Sequence, residues 1–186
     1  AKARVEGLWC LQLSPEAGGR GVGKMGMAVC YEAMNRSIFG PVVFNSAAPD
    51  DGNMMVLEAL GTPEQKAKWL GQIAAGNALV AYAVTEPDAG SNVVAIKTKA
   101  DAVTNEAGEI IGYNISGNKQ FISTGLYADF ITVLANTPEG ATFFVMEKGT
   151  EGFTAGKGEE KHGIRASNTS PLTFTEAFVP VENLIG

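Results

Sequence analysis

Gly76-Asn77-Ala78-Leu79-Val80-Ala81-Tyr82-Ala83-Val84-Thr85-Glu86-Pro87-Asp88-Ala89-Gly90-Ser91-Asn92 divides the sequence in two. Upstream of it, apolar residues recur at spacings of three and four, the period of a helix with one buried face. From Leu79 they run in an extended block and then alternate, the period of a strand. Immediately before the switch, Thr62-Pro63-Glu64-Gln65 has the form of a capping box: a hydroxyl at the N-cap, proline at the first helical position and Gln65 as the reciprocal partner. This predicts a helix to about Ala75, stopped by Gly76, with Ala67, Trp69, Leu70, Ile73 and Ala74 on its buried stripe. Farther upstream, Met27, Cys30, Ala33 and Met34 predict a core-facing helix over Lys24 to Arg36, bounded by Gly40 and Pro41. A shorter helix is predicted from Asp51 to Leu60, with Asp50 or Asp51 as its cap and Gly61 as its close.

Downstream of the switch, Ile96, Thr98, Ala100 and Ala102 alternate with polar neighbours, and Thr104 to Gly108 has the composition of a hairpin turn. Further strands are predicted at Ile110 to Ser116, Lys119 to Ile122, Phe130 to Ala135, Thr142 to Glu147 and Leu172 to Val179. Gly, Pro and Asn punctuate them. The sequence therefore reads as α+β: a helical domain over residues 1–77, followed over residues 78–186 by an antiparallel β-barrel or sandwich.

Composition narrows the function. The net charge is −6, with 14 basic and 20 acidic side chains, and the acid excess lies beyond residue 80. Such a surface does not attract nucleic-acid phosphates, which need clustered Lys and Arg. No apolar run has the roughly 20 residues that span a bilayer, and the start lacks the layout of a secretory signal. The default location is the cytoplasm or an organelle matrix. Cys10 and Cys30 lie in neither a CxxC nor a His-rich setting and read as buried thiols rather than metal ligands.

The loop from Val84 to Asn92 ends a strand in small and hydroxylated residues. Ala89, Gly90 and Ser91 would let an anion approach the main chain. Composition alone favours a plain Pro-Asp and Gly-Ser turn. His162 is the only histidine; without a nucleophile-elbow motif near it, a Ser-His-Asp triad has no support and His162 reads as a solvated loop residue. Arg165 fits either an acidic cofactor or partner group or a surface ion pair.

Tyr82 to Asn92 closely resembles the flavin-binding signature of the acyl-CoA dehydrogenase family, Y/A-x-x-T-E-P-x-A-G-S-D. Two more matches follow in order. Gly117-Asn118-Lys119-Gln120-Phe121-Ile122-Ser123 is similar to the family's K-x-W/F-I-T/S segment. Lys161 to Thr169, with Phe174-Thr175-Glu176 and Val179 to Gly186, is similar to its G-x-R-A-S-x-T, F-x-x-V-x-V-P and E-N-L-L/I-G run. Upstream, Pro15 to Gly19 resembles a P-E-x-x-G-G element, Gly61 to Gly76 the family's G-T/S-x-E-Q-K-x-x-W/Y-L helix, and Phe44 to Met54 a branch associated with longer acyl chains.

The resemblance implies an FAD-dependent oxidoreductase that forms the α,β double bond of acyl-CoA thioesters in fatty-acid or related catabolism. It also implies an electron-transfer flavoprotein as acceptor and a homo-oligomer, dimeric or tetrameric. Its implied cofactor-binding residues are Tyr82, Val84, Thr85, Gly90, Ser91, Phe121, Ile122 and Ser123. Thr85 and the main chain of Val84 and Thr85 would hold the polar edge of the isoalloxazine. Gly90 and Ser91 would approach the pyrophosphate, with Ser91 also at the CoA thioester. Phe121 stands where the family often has Trp beside the flavin, and Ser123 where Thr often offers a hydroxyl to flavin N5. Glu86 is implied to be structural. The family's base is a glutamate in a C-terminal helical-bundle domain, so no catalytic residue is assigned, the sequence is expected to be part of a longer protein, and these residues alone are expected to be inactive. Two alternatives remain: an acyl-CoA oxidase, which would pass electrons to oxygen, and a non-catalytic binding or assembly protein on the same scaffold.

Overall fold

A computed structural model describes residues 2–186, which form two compact units, one ending at Ala78 and the other spanning Leu79–Gly186. The first is helical: α1 (Lys2–Val5), α2 (Lys24–Met34), α3 (Gly40–Val43), α4 (Asp50–Leu60), and α5, which runs from Pro63–Gln65 through a π-helical segment, Lys66–Leu70, into Gly71–Ala74. The capping box at the start of α5 is present in both directions. Thr62 Oγ1 accepts from the Gln65 amide at 3.2 Å and Gln65 Oε1 accepts from the Thr62 amide at 3.0 Å. Gly76, at φ 65°, supplies the left-handed residue that ends the helix.

The buried stripes are narrower than the sequence predicts. On α2 only Met27 and Met34 are buried, packing with Leu11; Cys30 is half-buried rather than buried, and Ala33 is exposed. On α5, Trp69, Leu70 and Ile73 face inward while Ala67 is exposed, because the π-helical segment changes the angular spacing at that point. Neither Asp50 nor Asp51 is the N-cap of α4; Pro49 holds that position. Both carboxylates fall in the first turn instead, where the helix dipole favours negative charge.

The second unit is one eight-stranded sheet. Its strands are β1 (Val80–Ala83), β2 (Lys99–Thr104), β3 (Ile110–Ser123), β4 (Phe130–Thr137), β5 (Gly140–Glu147), β6 (Phe153–Ala155), β7 (Thr169–Pro180) and β8 (Leu184–Ile185). They are ordered β6-β7-β3-β2-β4-β5-β8, with β1 added against β4. The sheet is mostly antiparallel, but β1 runs parallel to β4, and β2 meets β4 in parallel at Lys99 and Asn136. The two strands predicted at 110–116 and 119–122 are a single strand, β3, and the short β6 and β8 have no counterpart in the sequence reading. The core is built from the inward residues of the long strands, among them Ala81, Ala83, Ile115, Ile122, Val133, Phe144, Leu172 and Phe174.

The long β3–β7 ladder contains two one-residue bulges. Between Lys119 and Ile122 the extra residue is on β3, and Phe121 there has φ 58°. Between the Gly117–Phe174 and Ile115–Ala177 pairs it is on β7, and Glu176 has φ 48°. Ile115 and Lys119 share the inward face by simple alternation, and the β3 bulge then advances the strand by one residue, so that Ile122 also points inward while Phe121 points out. Gly117, at φ 153°, lies against β2's approach: a Cβ there would come within 2.7 Å of Thr98 Cα. Gly117→Ala is therefore expected to destabilise the β unit by about 1–3 kcal/mol, measured as a lower urea midpoint with the helical unit's melting unchanged.

Candidate flavin site

The loop that follows β1 is tied to the sheet by a charge pair with almost no access to water. Lys119 Nζ and Glu86 Oε1 are 2.8 Å apart, and their side chains are 0% and 4% exposed. Each end has further partners. Lys119 Nζ also donates to the Val84 carbonyl at 3.1 Å. Glu86 accepts from the Thr98 amide at 3.0 Å and the Lys97 amide at 2.6 Å. Three segments, 84–86, 97–98 and 119–120, thus converge on one pair of charges. A fourth link joins the outer two, the Gln120 amide donating to the Thr85 carbonyl at 2.8 Å.

This meets the main condition for burying ions: each charge has an opposite charge and at least one further hydrogen bond. Burial by itself pushes the Glu86 carboxyl up, but the donors from Lys119, Thr98 and Lys97 outweigh it and hold the group at about 2. Burial pulls the Lys119 ammonium below the ordinary lysine range, and Glu86 opposes that pull. Glu86 remains an acceptor with both oxygens occupied, so it has neither the access nor the basicity of a proton-abstracting group.

Around this anchor, the residues singled out from the sequence fall into three groups. Thr85 and Val84 sit beside the pair, with their carbonyls bonded across to Gln120 and Lys119. Phe121 and Ser123 follow on β3. The Phe121 ring is 63% exposed, which the bulge makes possible, and Ser123 is half-buried opposite Thr169. Gly90 and Ser91 lie on an exposed loop, fixed at its base by the reciprocal Glu86–Ala89 main-chain bonds of 2.8 and 3.2 Å. Among the described residues, neither the Gly90 nor the Ser91 amide is engaged within the chain, and a Cβ at Gly90 would meet nothing within 4 Å.

Two of the eight are placed less directly. Ile122 is 2% exposed within the core, leaving only its main chain for a ligand. The Tyr82 ring is half-buried on the face of β1 opposite Ala81 and Ala83, 5.4 Å from the Phe143 ring, and burial raises its phenol's pKa. His162 and Arg165 are exposed on the segment before β7, whose base is held by Lys161 Nζ, donating to the Ser167 carbonyl at 2.5 Å and to Thr169 Oγ1 at 2.9 Å. Sequence reasoning missed the role of Lys119. The signal was present, because strand alternation from Ile115 puts residue 119 on the inward face, where an unpaired lysine would not be tolerated.

These residues fit a flavin dinucleotide. Free amides and a hydroxyl at Gly90 and Ser91 suit a phosphate, the projecting Phe121 ring suits a planar apolar edge, and the Thr85 and Ser123 hydroxyls can donate to ring heteroatoms.

Known proteins resemble this chain along nearly its whole length. Residues 81–177 match the family model described as acyl-CoA dehydrogenase, middle domain, and residues 1–77 match its N-terminal domain. The chain is 37% identical to the very long-chain specific acyl-CoA dehydrogenase of Rattus norvegicus, over 97% of this chain and 28% of that protein. It is 36% identical to the short-chain specific enzyme of Clostridium acetobutylicum, over 97% of this chain and 47% of that protein. The crystal structure of an acyl-CoA dehydrogenase from Bacillus anthracis, complexed with FAD, superposes with a TM-score of 0.79 at 33% identity, covering 100% of this chain and 31% of that one. The chain thus spans less than half the length of these relatives.

Removing one charge from the pair tests the anchor. Glu86→Gln leaves Lys119 buried without a counter-ion and is expected to destabilise the β unit by about 3–5 kcal/mol, read by urea unfolding. The wild-type pair should also be acid-sensitive. Because the folded carboxyl sits at about 2, below the roughly 4.3 of an unfolded glutamate, its stabilisation is complete above that higher value. It is lost as pH falls toward 2; Glu86→Gln should flatten this limb of the stability–pH curve.

Proposed function

The chain belongs to the acyl-CoA dehydrogenase family, and from that premise we propose that it is the FAD-holding part of an enzyme that forms the α,β double bond of acyl-CoA thioesters. The observation that carries this reading is the convergence of segments 84–86 and 119–120 on one buried anchor, which sets Thr85, in the loop after β1, against the stretch of β3 that carries the exposed Phe121 ring.

FAD, when bound, supplies the acceptor for the hydride that leaves the β-carbon. The chain's residues bind it and set its surroundings. The Thr85 hydroxyl and the amide edge around Val84 and Thr85 would face the pyrimidine side, and the Ser123 hydroxyl would face N5. Both place dipoles where negative charge grows during the transfer, and because the ion pair and β3 hold them in advance they need little reorganisation. Phe121 would cover the ring and exclude water, while Gly90 and Ser91 would take the pyrophosphate, Ser91 also approaching the thioester. The α-proton has to go to a base. Glu86 is disqualified by its buried, fully bonded carboxylate, so we assign that base to no residue of this chain. These 186 residues alone are expected to hold FAD weakly and to turn over no acyl-CoA.

The electron acceptor in this reading is an electron-transfer flavoprotein, the active form is a homo-oligomer, and the compartment is the bacterial cytoplasm or the mitochondrial matrix. Among the described residues no helix is long and apolar enough to cross a membrane. Enzymes specific for very long and for short acyl chains match these residues almost equally well.

The test is the flavin spectrum of the intact gene product. It should purify yellow and bleach when an acyl-CoA is added without oxygen, and Thr85→Ala together with Ser123→Ala should slow the bleaching by roughly a hundredfold to a thousandfold, the scale of lost oriented donors. An intact protein that stays colourless with saturating FAD would leave the fold and remove the activity.

A further inference from the structure

Lys119 and Glu86 touch neither the loop amides at 90–91 nor the exposed ring of Phe121, yet every segment proposed to meet the flavin ring is fastened to them. Lys119 occupies the inward position just before the β3 bulge, and Phe121 the outward position within it. Its ammonium reaches across to the Val84 carbonyl at 3.1 Å, one residue before Thr85. Glu86, one residue after Thr85, is fixed in turn by the Lys97 and Thr98 amides. Thr85 is therefore clamped on both sides, and its own carbonyl is taken by Gln120. A fold that needed only a filled interior at this place could use two apolar side chains of similar volume, commonly at no loss of stability. What an apolar pair could not do is hold the Val84 carbonyl, and with it the orientation of the Thr85 main chain and hydroxyl.

We propose that Lys119 and Glu86 are a positioning pair for the flavin: they set the geometry of Thr85 and register it against Phe121, and so determine how tightly the isoalloxazine edge is held. The inference rests on the FAD reading above and assigns the pair an action through Thr85, with no contact to the cofactor. Its distinguishing consequence is that affinity for FAD and stability of the fold separate. Removing both charges together abolishes the buried-ion penalty that a single substitution would create, so the fold persists while the clamp is lost.

The test is the double variant Glu86→Gln with Lys119→Met in the intact gene product, with FAD binding measured by fluorescence quenching far below the melting temperature. The urea midpoint is expected to fall less than in Glu86→Gln alone, while the Kd for FAD rises roughly tenfold, the scale of one charge-assisted hydrogen bond. The fine structure of the bound flavin's visible band should blur as the ring edge loses its fixed donors. A double variant that folds and binds FAD with the wild-type Kd and spectrum overturns the proposal and leaves the flavin reading intact. A wild-type protein that fails to bind FAD overturns both. Should the double variant not fold, amide hydrogen exchange of the FAD-free wild type decides. Slow exchange at Lys97, Thr98 and Gln120 before any FAD is added supports a clamp set in advance. Exchange as fast as at the Gly90 and Ser91 amides, slowing only with FAD, overturns it.

Discussion

A lysine ammonium held 2.8 Å from a carboxylate, with neither reaching water, constrains nearly everything else in the β unit. Such a pair is tolerated only where further hydrogen bonds support it, and here main-chain groups at 84 and at 97–98 do so, drawing the segments 84–86, 97–98 and 119–120 together. Those segments must then lie within hydrogen-bond reach of one another, which fixes the exit of β1, the entry to β2 and the middle of β3. The energetic logic runs through desolvation. The charges gain little from their attraction once dehydration is counted, but leaving either unmatched costs a great deal. The pair is therefore better understood as a specification of geometry than as a source of stability.

The same geometry explains why a loop can serve as a binding surface. Gly90 and Ser91 are exposed and make no internal main-chain bonds among the described residues, a state that would ordinarily mean mobility. The base of the loop is closed by the Glu86–Ala89 bonds, and Ala89 is itself buried with Ile96 and Leu134. Free donors are thus carried on a short, anchored span, as an anion site requires. The helical unit shows a different economy: α2 buries only two of its side chains, and Met25 and Val29 remain on its exposed face.

Much of this was legible in the sequence because it depended on local chemistry. The capping box at Thr62 and Gln65, the stop at Gly76 and the change of period after Asn77 each rest on a few neighbouring residues, and each is present in the structure. What was not legible depended on partners distant in the chain. The parallel pairing of β1 with β4 leaves no mark on either strand's composition. β6 and β8 are two or three residues long, too short for a periodicity to register. Strict alternation along β3 would put Phe121 inside and Ile122 outside, and only the bulge, set by pairing with β7, reverses them. The flavin motifs were readable as motifs, and alternation already turned Lys119 inward, but its role depended on a partner, Glu86, that lies 33 residues away in the chain.

The two bulges of the β3–β7 ladder also bear on how this strand pair can vary. Gly112 pairs with Pro180 before them and Ser123 with Thr169 after them, so the pairing offset is the same at both ends and differs only over Gly117 to Lys119. Each extra residue is absorbed within its own bulge: deleting one β3 residue between Lys119 and Ile122 would leave Lys119 opposite Leu172 and Ile122 opposite Ser170, both still facing inward, and would remove only the side chain that the bulge turns outward. The β3 bulge is thus a one-residue insertion that the ladder accommodates without a change of frame on either side, and what it supplies is the outward ring of Phe121 two residues from an inward lysine.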